Sequence, residues 1–365
     1  MNRTITMTSA AAVLALGTAS IASAASAPGP ASSFDRGKGQ QTWQNAGYAA
    51  RVAQCKTPPR PFAIPVSTAT GEPAYNPPGP SAAIPGVIAA GQTWKSVWFW
   101  QGNNTDGPLA GPDGKMLFAN QDAGNVMELD PETGMARIIH DNLNAPGAVS
   151  RSKSGALFAV ERGLPARVTQ LEPTRKVVAD SFDGEPIECI GGVLNDLAAD
   201  SKGGVYAAIS GGGLIYTDKA GKVTRFGGQS VAGANGIVLS ADEKILYLGN
   251  GPVVTAFDVQ ADGALTNQRE FAKLQGGRKG GDGMAIDAEG RLYVAVGGAV
   301  DVFDKAGAFL GTIAGPPGLH GVAFGGKDKK TLYAIIFYGG WGSPSGRNRL
   351  VGIPVLTAGY AGRAK

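Results

Sequence analysis

The chain has 365 residues and a formal net charge of +4, from 33 basic and 29 acidic residues. Hydrophobic residues make up 43% of it, which is enough to bury a large core and excludes an intrinsically disordered chain. The 56 glycines lack the three-residue period of collagen, so they favour many tight turns between short strands. No basic run is longer than Lys329-Lys330, so we expect no nucleic-acid partner.

The chain begins with the three regions of a secretory signal peptide, in residues 1–24. Arg3 supplies a positive charge, Ala10 to Ile21 is a short apolar stretch, and Ala22-Ser23-Ala24 is an A-x-A cleavage site, with Ala25-Ser26-Ala27 as a competing one. The apolar stretch is too short to span a bilayer, and no later segment reaches the length of a membrane helix. We therefore expect an exported protein, periplasmic or secreted, without a membrane anchor.

An extension over residues 25–92 precedes the main domain and carries 11 of the 23 prolines. Proline removes backbone donors and fixes φ, so this stretch is predicted to wrap the surface in extended form, with one short helix over Thr42 to Val52. The two cysteines, Cys55 and Cys189, could form a disulfide in an oxidising compartment and tie the extension to the main domain. Two separate buried thiols are the alternative.

A repeat of about 43 residues organises the chain from residue 93 to residue 358, which leaves residues 359–365 as a tail. In each unit a turn leads into a short β-rich run that ends in an aromatic residue: Phe118, Phe158, Tyr206, Tyr247, Tyr293 and Tyr333. A second strand in the unit ends in Asp and a Gly-containing turn, as in a hairpin. Four strands in about 40 to 45 residues are typical of a propeller blade.

The pattern therefore predicts an all-β protein, a six-bladed β-propeller with a Pro-rich N-terminal extension. The Trp-rich run Thr93 to Gln101 precedes the first unit and is predicted to close the ring by pairing into the last blade. A β-sandwich with coincidental spacing is the alternative.

One position recurs at the start of the innermost strand of every unit. Counting back from each turn, it is held in order by Asp106, Ala145, Asn195, Asn235, Asp282 and His320. Two carboxylates and two carboxamides in one register would bring four oxygens to a common point in the channel, which suits a hard divalent cation. Asn-Gly and Asp-Gly are also ordinary turn pairs, but turn formation does not require them to share a phase around a ring.

The same stretches resemble the senescence-marker-protein/gluconolactonase family. The resemblance covers about residues 100 to 340, through NDLAADSKGGVYAA from Asn195, NGIVLSADEKILYLGN from Asn235 and, most specifically, DGMAIDAEGRLYVA from Asp282. It implies a six-bladed propeller that binds one divalent metal ion in the channel, calcium or zinc, and hydrolyses lactones.

The resemblance also implies roles for single residues. Asn195, Asn235 and Asp282 match the family's metal ligands, and Asp282 its general base. The family's Glu-Gly-Pro motif is replaced here by Asp106-Gly107-Pro108, one methylene shorter, and an Arg that contacts the sugar in some members is replaced by Val193. His320 occupies the channel position of the last blade and is our candidate for substrate binding.

We thus predict an exported, monomeric, metal-dependent hydrolase of small-molecule lactones, in which the metal polarises the lactone carbonyl for attack by water. The sequence contains neither a G-x-S-x-G elbow nor a Walker A motif, and two histidines leave little for a catalytic triad. The alternative is a non-catalytic propeller that uses the metal to hold the channel shut and binds a small ligand or a protein partner. The shorter Asp106 carboxylate and Val193 keep this alternative open.

Overall fold

The computed structural model describes residues 40–41, 48–57, 63–64, 67, 69, 71–102, 104–163, 165–339 and 345–362. The predicted signal peptide lies outside these residues. The described part of the extension contains one helix, α1 (Tyr48–Val52), and the two-residue strands β1 (Gln40–Gln41) and β2 (Ala63–Ile64), which pair with each other. The helix predicted from Thr42 is therefore described only over its last residues.

Six four-stranded antiparallel sheets follow, which confirms the six-bladed all-β fold. After β3 (Lys95–Trp100), blade 1 is formed by β4 (Thr105–Ala110), β5 (Met116–Asn120), β6 (Asn125–Asp130) and β7 (Met135–His140). Blade 2 is formed by β8 (Pro146–Arg151), β9 (Leu157–Glu161), β10 (Arg167–Glu172) and β11 (Lys176–Ala179). A small hairpin of β12 (Ser181–Phe182) and β13 (Glu185–Pro186) precedes blade 3.

The remaining blades repeat the same order from the innermost strand outward. Blade 3 is formed by β14 (Val193–Ala199), β15 (Val205–Ser210), β16 (Gly213–Thr217) and β17 (Val223–Phe226), and blade 4 by β18 (Ala234–Leu239), β19 (Ile245–Asn250), β20 (Val253–Val259) and β21 (Leu265–Lys273). Blade 5 is formed by β22 (Met284–Ile286), β23 (Leu292–Ala295), β24 (Ala299–Phe303) and β25 (Phe309–Ala314), and blade 6 by β26 (Leu319–Gly325), β27 (Thr331–Tyr338), β28 (Arg347–Pro354) and the early strand β3. Short 3-10 segments lie at Pro112–Gly114, Ile187–Ile190 and Gly228–Val231.

Strand β3 closes the ring as predicted. It pairs antiparallel with β28, so that Phe99 lies opposite Arg349 and Trp98 opposite Leu350. The outer strand of blade 6 thus comes from the beginning of the domain and its inner three strands from the end. The innermost strands of all six blades contact one another around the axis, with β26 of blade 6 against β4 of blade 1.

Two of the recurring Asp-Gly turns are stabilised in the same way. The carboxylate of Asp218 accepts the backbone N–H groups of Ala220 and Lys222 at 2.8 and 2.9 Å, and Gly221 adopts a φ of +86°. In blade 5, Asp304 makes the same pair of bonds to residues 306 and 308. The aspartate organises the turn by accepting backbone donors, and the glycine supplies the left-handed conformation that closes it.

The extension contributes to the core more than the sequence predicted. Ile84, Val87 and Ile88 are buried in a cluster shared with blades 5 and 6. Trp94, at the start of the ring-closing run, lies in the same cluster, and its indole donates to the carbonyl of Ala314 at 2.8 Å. The burial of Ile84, Val87 and Ile88 makes this part of the extension belong to the propeller's hydrophobic packing rather than to a surface wrap.

A second part of the extension is fixed to blade 3. Cys55 and Cys189 form a disulfide, with their Cα atoms 5.2 Å apart. Beside it, Arg51 donates two hydrogen bonds to the Glu188 carboxylate, at 2.6 and 3.0 Å. Residues 187–190 lie just before the innermost strand of blade 3, so the extension is attached close to the start of that strand. None of the helices that the structure describes is long and apolar enough to cross a membrane.

Candidate metal centre

The innermost strands are bulged where the recurrent polar residues lie. The register shifts between Asp106 and Leu109, between Leu194 and Leu197, between Ala234 and Ile237, and between Leu319 and Gly321. A β-bulge bends a strand and redirects side chains that would otherwise alternate between its faces. In blades 1, 3, 4 and 6 the bulges therefore explain how one residue is redirected into the channel from a strand that is otherwise largely buried.

Glycine follows most of these residues because the innermost strands approach closely there. A Cβ on Gly107 would overlap Ala148, one on Gly236 would overlap the carbonyl oxygen of Asp282, and one on Gly283 would lie 2.9 Å from the Cα of Gly321. In blade 3 the following residue is Asp196 instead. Its carboxylate accepts the backbone N–H of Leu197 at 2.8 Å and that of Ile237, in the next blade, at 3.1 Å.

The predicted site residues line one cavity at this end of the channel. Its volume is about 490 Å³, and its polar lining comprises Asn104, Asp106, Arg162, Asn195, Ser210, Asn235, Asp282 and His320. Val193, Leu319 and Phe337 supply apolar wall. The structure therefore brings together all five polar residues of the recurrent position, while Ala145 of blade 2 contributes nothing to the lining.

The two carboxamides present oxygen atoms with different surroundings. Asn195 donates through Nδ2 to the Ser210 hydroxyl at 2.9 Å, and that hydroxyl donates to the carbonyl of Ala234 at 2.7 Å. This chain of bonds fixes the orientation of the Asn195 amide and leaves Oδ1 as its acceptor. Oδ1 of Asn235 is buried and has no hydrogen-bond partner among the described residues. A buried acceptor without a donor is costly, and a bound cation would satisfy it.

The surroundings of Asp282 disfavour the ionised form of its carboxyl group. Its pKa is raised to about 7. Burial is the main cause, and the negative charges of Asp106 and Asp196 act in the same direction, while His320 and Arg162 oppose them. The neighbouring negative charges add to the effect of burial, so Asp282 tends to hold a proton unless a cation is present. The pair Asp106 and Asp282 is thus arranged to gain from a positive ion.

His320 forms the wall between blades 6 and 1. Its Nδ1 lies 3.1 Å from the carbonyl oxygen of Gly318, its Nε2 lies 3.1 Å from that of Thr105, and Asp106 Oδ1 is 3.9 Å from Nε2. The ring also packs edge-on against Phe337. Both ring nitrogens face backbone carbonyls, so the imidazole is held in a fixed orientation where it lines the cavity.

Arg162 is a charged residue of the cavity lining that the sequence analysis did not predict. It follows β9 of blade 2, is only 3% exposed, and places its guanidinium against Asp106 and Asn195. A Cβ on Gly147 would overlap that guanidinium, so the glycine makes room for it. The only signal in the sequence is a charged pair, Glu161-Arg162, at the end of the otherwise apolar run LFAV.

The residues present fit a hard divalent cation. They offer two carboxylates and two carboxamide oxygens, one of which is a buried acceptor without a donor. A separate cluster of Cys55, Glu185 and Cys189 brings two sulfurs and a carboxylate within 4.8 Å of one another. Both sulfurs are consumed by the disulfide, so this cluster offers no thiolate ligand.

A family model described as the SMP-30/Gluconolactonase/LRE-like region matches residues 104–335. The chain belongs to this family. The match covers all of blades 1 to 5 and most of the first two strands of blade 6, and it confirms the resemblance seen in the sequence.

Two curated relatives have enzymatic names. A gluconolactonase of Zymomonas mobilis is 28% identical over 246 residues, which are 63% of this chain and 60% of that protein. A lactonase drp35 of Staphylococcus epidermidis is 30% identical over 227 residues, which are 56% of this chain and 67% of the staphylococcal protein. The chain thus spans well under the full length of the relatives that it matches.

Solved structures share the fold. A gluconolactonase of Xanthomonas campestris superposes with a TM-score of 0.60 at 20% identity, over 80% of this chain and 97% of that one. Regucalcin of Agrobacterium tumefaciens, a calcium-binding protein, superposes with a TM-score of 0.55 at 21% identity, over 69% and 91% of the two chains. At these identities the likeness concerns the propeller itself.

Proposed function

We propose that this protein is a metal-dependent lactone hydrolase that acts outside the cytoplasm as a monomer. The observation that carries the proposal is the convergence of Asp106, Asn195, Asn235 and Asp282 on one cavity, with a buried unpaired oxygen on Asn235 and a raised pKa on Asp282. The lactonase names of the relatives support the same substrate class.

These four residues would hold the ion through their side-chain oxygens. When bound, a divalent cation acts as a Lewis acid toward a carbonyl oxygen and raises the acidity of water. Calcium is the first ion to test, because the fold relative regucalcin is a calcium-binding protein. Zinc is the second.

Asp282 is the proposed general base. As a carboxylate it takes a proton from the attacking water while the water oxygen bonds to the lactone carbonyl carbon. The ring C–O bond then breaks, and the departing alkoxide recovers a proton, leaving a hydroxy acid. A bound divalent cation would favour the ionised form of Asp282, and that is the form that can accept a proton from the attacking water.

The other side chains would orient the substrate. His320 and Phe337 line the cavity on the blade 6 side, and Val193 on the blade 3 side, so the lactone ring would lie between an imidazole and apolar wall. The Asn195 amide nitrogen is already engaged by Ser210, so its contribution is its oxygen.

A non-catalytic metal-stabilised propeller is the second candidate. It rests on the shorter carboxylate of Asp106, on Val193, and on Arg162, whose guanidinium already neutralises part of the site. Such a protein would bind an ion and a ligand or protein partner without opening a lactone.

Export is part of the proposal. It rests on the signal-peptide pattern of residues 1–24, and a disulfide between Cys55 and Cys189 is suited to an oxidising compartment. Fractionation of cells that express the full chain, with N-terminal sequencing of the product, tests it. An intact N-terminus in the cytosol would contradict export.

The deciding experiment is lactone hydrolysis by the chain from residue 25 onward. Sugar, aliphatic and aromatic lactones would each be assayed by acid release after chelation, and again after calcium or zinc is added back. We expect turnover that chelator abolishes and one ion restores. Ion binding without opening of any lactone would favour the non-catalytic candidate.

A further inference from the structure

Blade 2 contributes a charge to the channel instead of a ligand. The recurrent position of this blade is Ala145, which has no polar group. In its place the guanidinium of Arg162 reaches the centre from the end of β9, through space that Gly147 leaves open. The side chain is 2% exposed, so a permanent positive charge is buried beside the proposed ligands.

The guanidinium connects three blades. Nη2 lies 3.2 Å from Asp106 Oδ2 in blade 1 and 3.1 Å from both oxygens of Asn195 in blade 3. Nη1 donates to Gln121 Oε1 at 2.9 Å, and Nε donates to the carbonyl of Leu194 at 2.7 Å. Every nitrogen of the group is used by the protein, so Arg162 is placed to hold residues rather than to bind a substrate.

We infer that Arg162 is a positioning residue of the proposed metal centre and its built-in counter-ion. In the metal-free protein it holds Asp106 and Asn195 in place by charge-assisted hydrogen bonds to their side-chain oxygens. A divalent ion takes those same two oxygens as ligands, so it competes with the guanidinium and is repelled by it. Arg162 therefore weakens metal binding and keeps the empty centre ordered. This inference rests on the proposed metal-dependent function.

The inference predicts that loss of Arg162 tightens metal binding, which a merely structural role does not predict. Loss of a buried arginine that only braces blades should lower stability and leave metal affinity unchanged or weaker. Removal of a positive charge a few ångströms from a divalent ion should strengthen binding, because like charges repel strongly in a poorly hydrated site. It should also make the fold depend more on the metal.

Arg167 provides the matched control. It is another buried arginine of blade 2, 5% exposed, and it pairs with the Glu161 carboxylate at 2.8 and 3.0 Å. Its side-chain hydrogen bonds go to Glu161 and not to Asp106 or Asn195. Replacing it with glutamine removes a buried ion pair of the same blade without touching the proposed ligands.

The experiment compares the metal-stripped chain from residue 25 onward with its Arg162→Gln, Arg162→Lys and Arg167→Gln variants. Calorimetric titration with calcium, and separately with zinc, gives Kd, and melting with ion or with chelator gives the ion-dependent rise in Tm. For Arg162→Gln we expect Kd to fall at least about tenfold, and the rise in Tm to exceed that of the unsubstituted protein. Arg162→Lys, which keeps the charge, should bind close to the unsubstituted protein. Arg167→Gln should melt lower with Kd unchanged.

Each of the other outcomes contradicts one specific claim. If Arg162→Gln folds but binds the ion no more tightly than the unsubstituted protein, the counter-ion inference is wrong while the metal site stands. If Arg162→Gln and Arg162→Met both fail to fold even with the ion, Arg162 is only structural, because an ion should replace a counter-ion. If the unsubstituted protein itself binds neither ion, both the proposed metal-dependent function and the inference about Arg162 are wrong.

Discussion

The backbone of Gly236 lies so close to the carbonyl oxygen of Asp282 that a methyl group on its Cα would overlap that oxygen. The two residues belong to neighbouring blades. Gly236 follows the proposed ligand Asn235, and Asp282 is itself a proposed ligand. The close approach of the innermost strands is therefore what brings oxygen ligands from different blades within reach of one point.

Gly236→Ala should consequently be destabilising. The added methyl meets backbone, which cannot move aside as a flexible side chain can, so we expect a loss of about 1–3 kcal/mol or more in the free energy of unfolding. Urea denaturation measures it. Gly280→Ala is the matched control, because Gly280 lies in the same region with open space around it and without a positive φ. Equal stability of the two variants would contradict the packing argument.

The disulfide should contribute to stability by tying the extension to blade 3. It joins residues 134 apart in sequence, and removing a crosslink of this kind typically costs about 2–4 kcal/mol. A Cys55→Ser/Cys189→Ser double variant should melt lower than the oxidised protein. Adding a reductant should lower the Tm of the unsubstituted protein to that of the variant and leave the variant unchanged. A Tm that the reductant does not alter in either protein would show that the bond contributes nothing measurable.

Glu172 in blade 2 should give the protein an acid-dependent component of stability. The hydrogen bond from His140, together with Arg151, lowers the pKa of this carboxyl from its ordinary value of 4.5 to about 2 against the opposing effect of burial. Because the folded state favours the ionised form, the stabilisation is complete above pH 4.5 and is lost progressively as the pH falls toward 2.

Urea midpoints from pH 7 to pH 2 would test this, with Glu172→Gln as the comparison. The difference in stability between the unsubstituted protein and the variant should be largest above pH 4.5 and shrink toward pH 2. A difference that stays constant across that range would show that Glu172 titrates alike in the folded and unfolded chains.

The sequence was sufficient to predict the ring because its signals are local. Aromatic residues such as Phe118 and Tyr206 recur at blade spacing, and the turns at Asp218 and Asp304 are specified within a few residues by their own hydrogen bonds. Asp106, Asn195, Asn235 and Asp282 could be predicted as a group since they occupy one phase of that repeat. Arg162 could not, because it reaches the channel from a different strand and its place depends on the absence of a side chain at Gly147. The burial of Ile84, Val87 and Ile88 was missed for a similar reason, as the blade 5 and blade 6 residues that they pack against lie far away in the sequence.

Asp282 gives the sharpest test of the chemistry. Asparagine has nearly the same shape but cannot take a proton from water, so Asp282→Asn should lower kcat for the best lactone by about 10²–10⁴-fold at saturating metal. Asp196→Asn is the control, since this neighbouring carboxylate accepts backbone N–H groups of two blades. It should lower the Tm but keep more than about a tenth of the activity, because it is not expected to exchange a proton with the reacting water. If Asp282→Asn retained full metal-dependent turnover, the base would have to be sought elsewhere in the cavity, and His320 would be the next residue to replace.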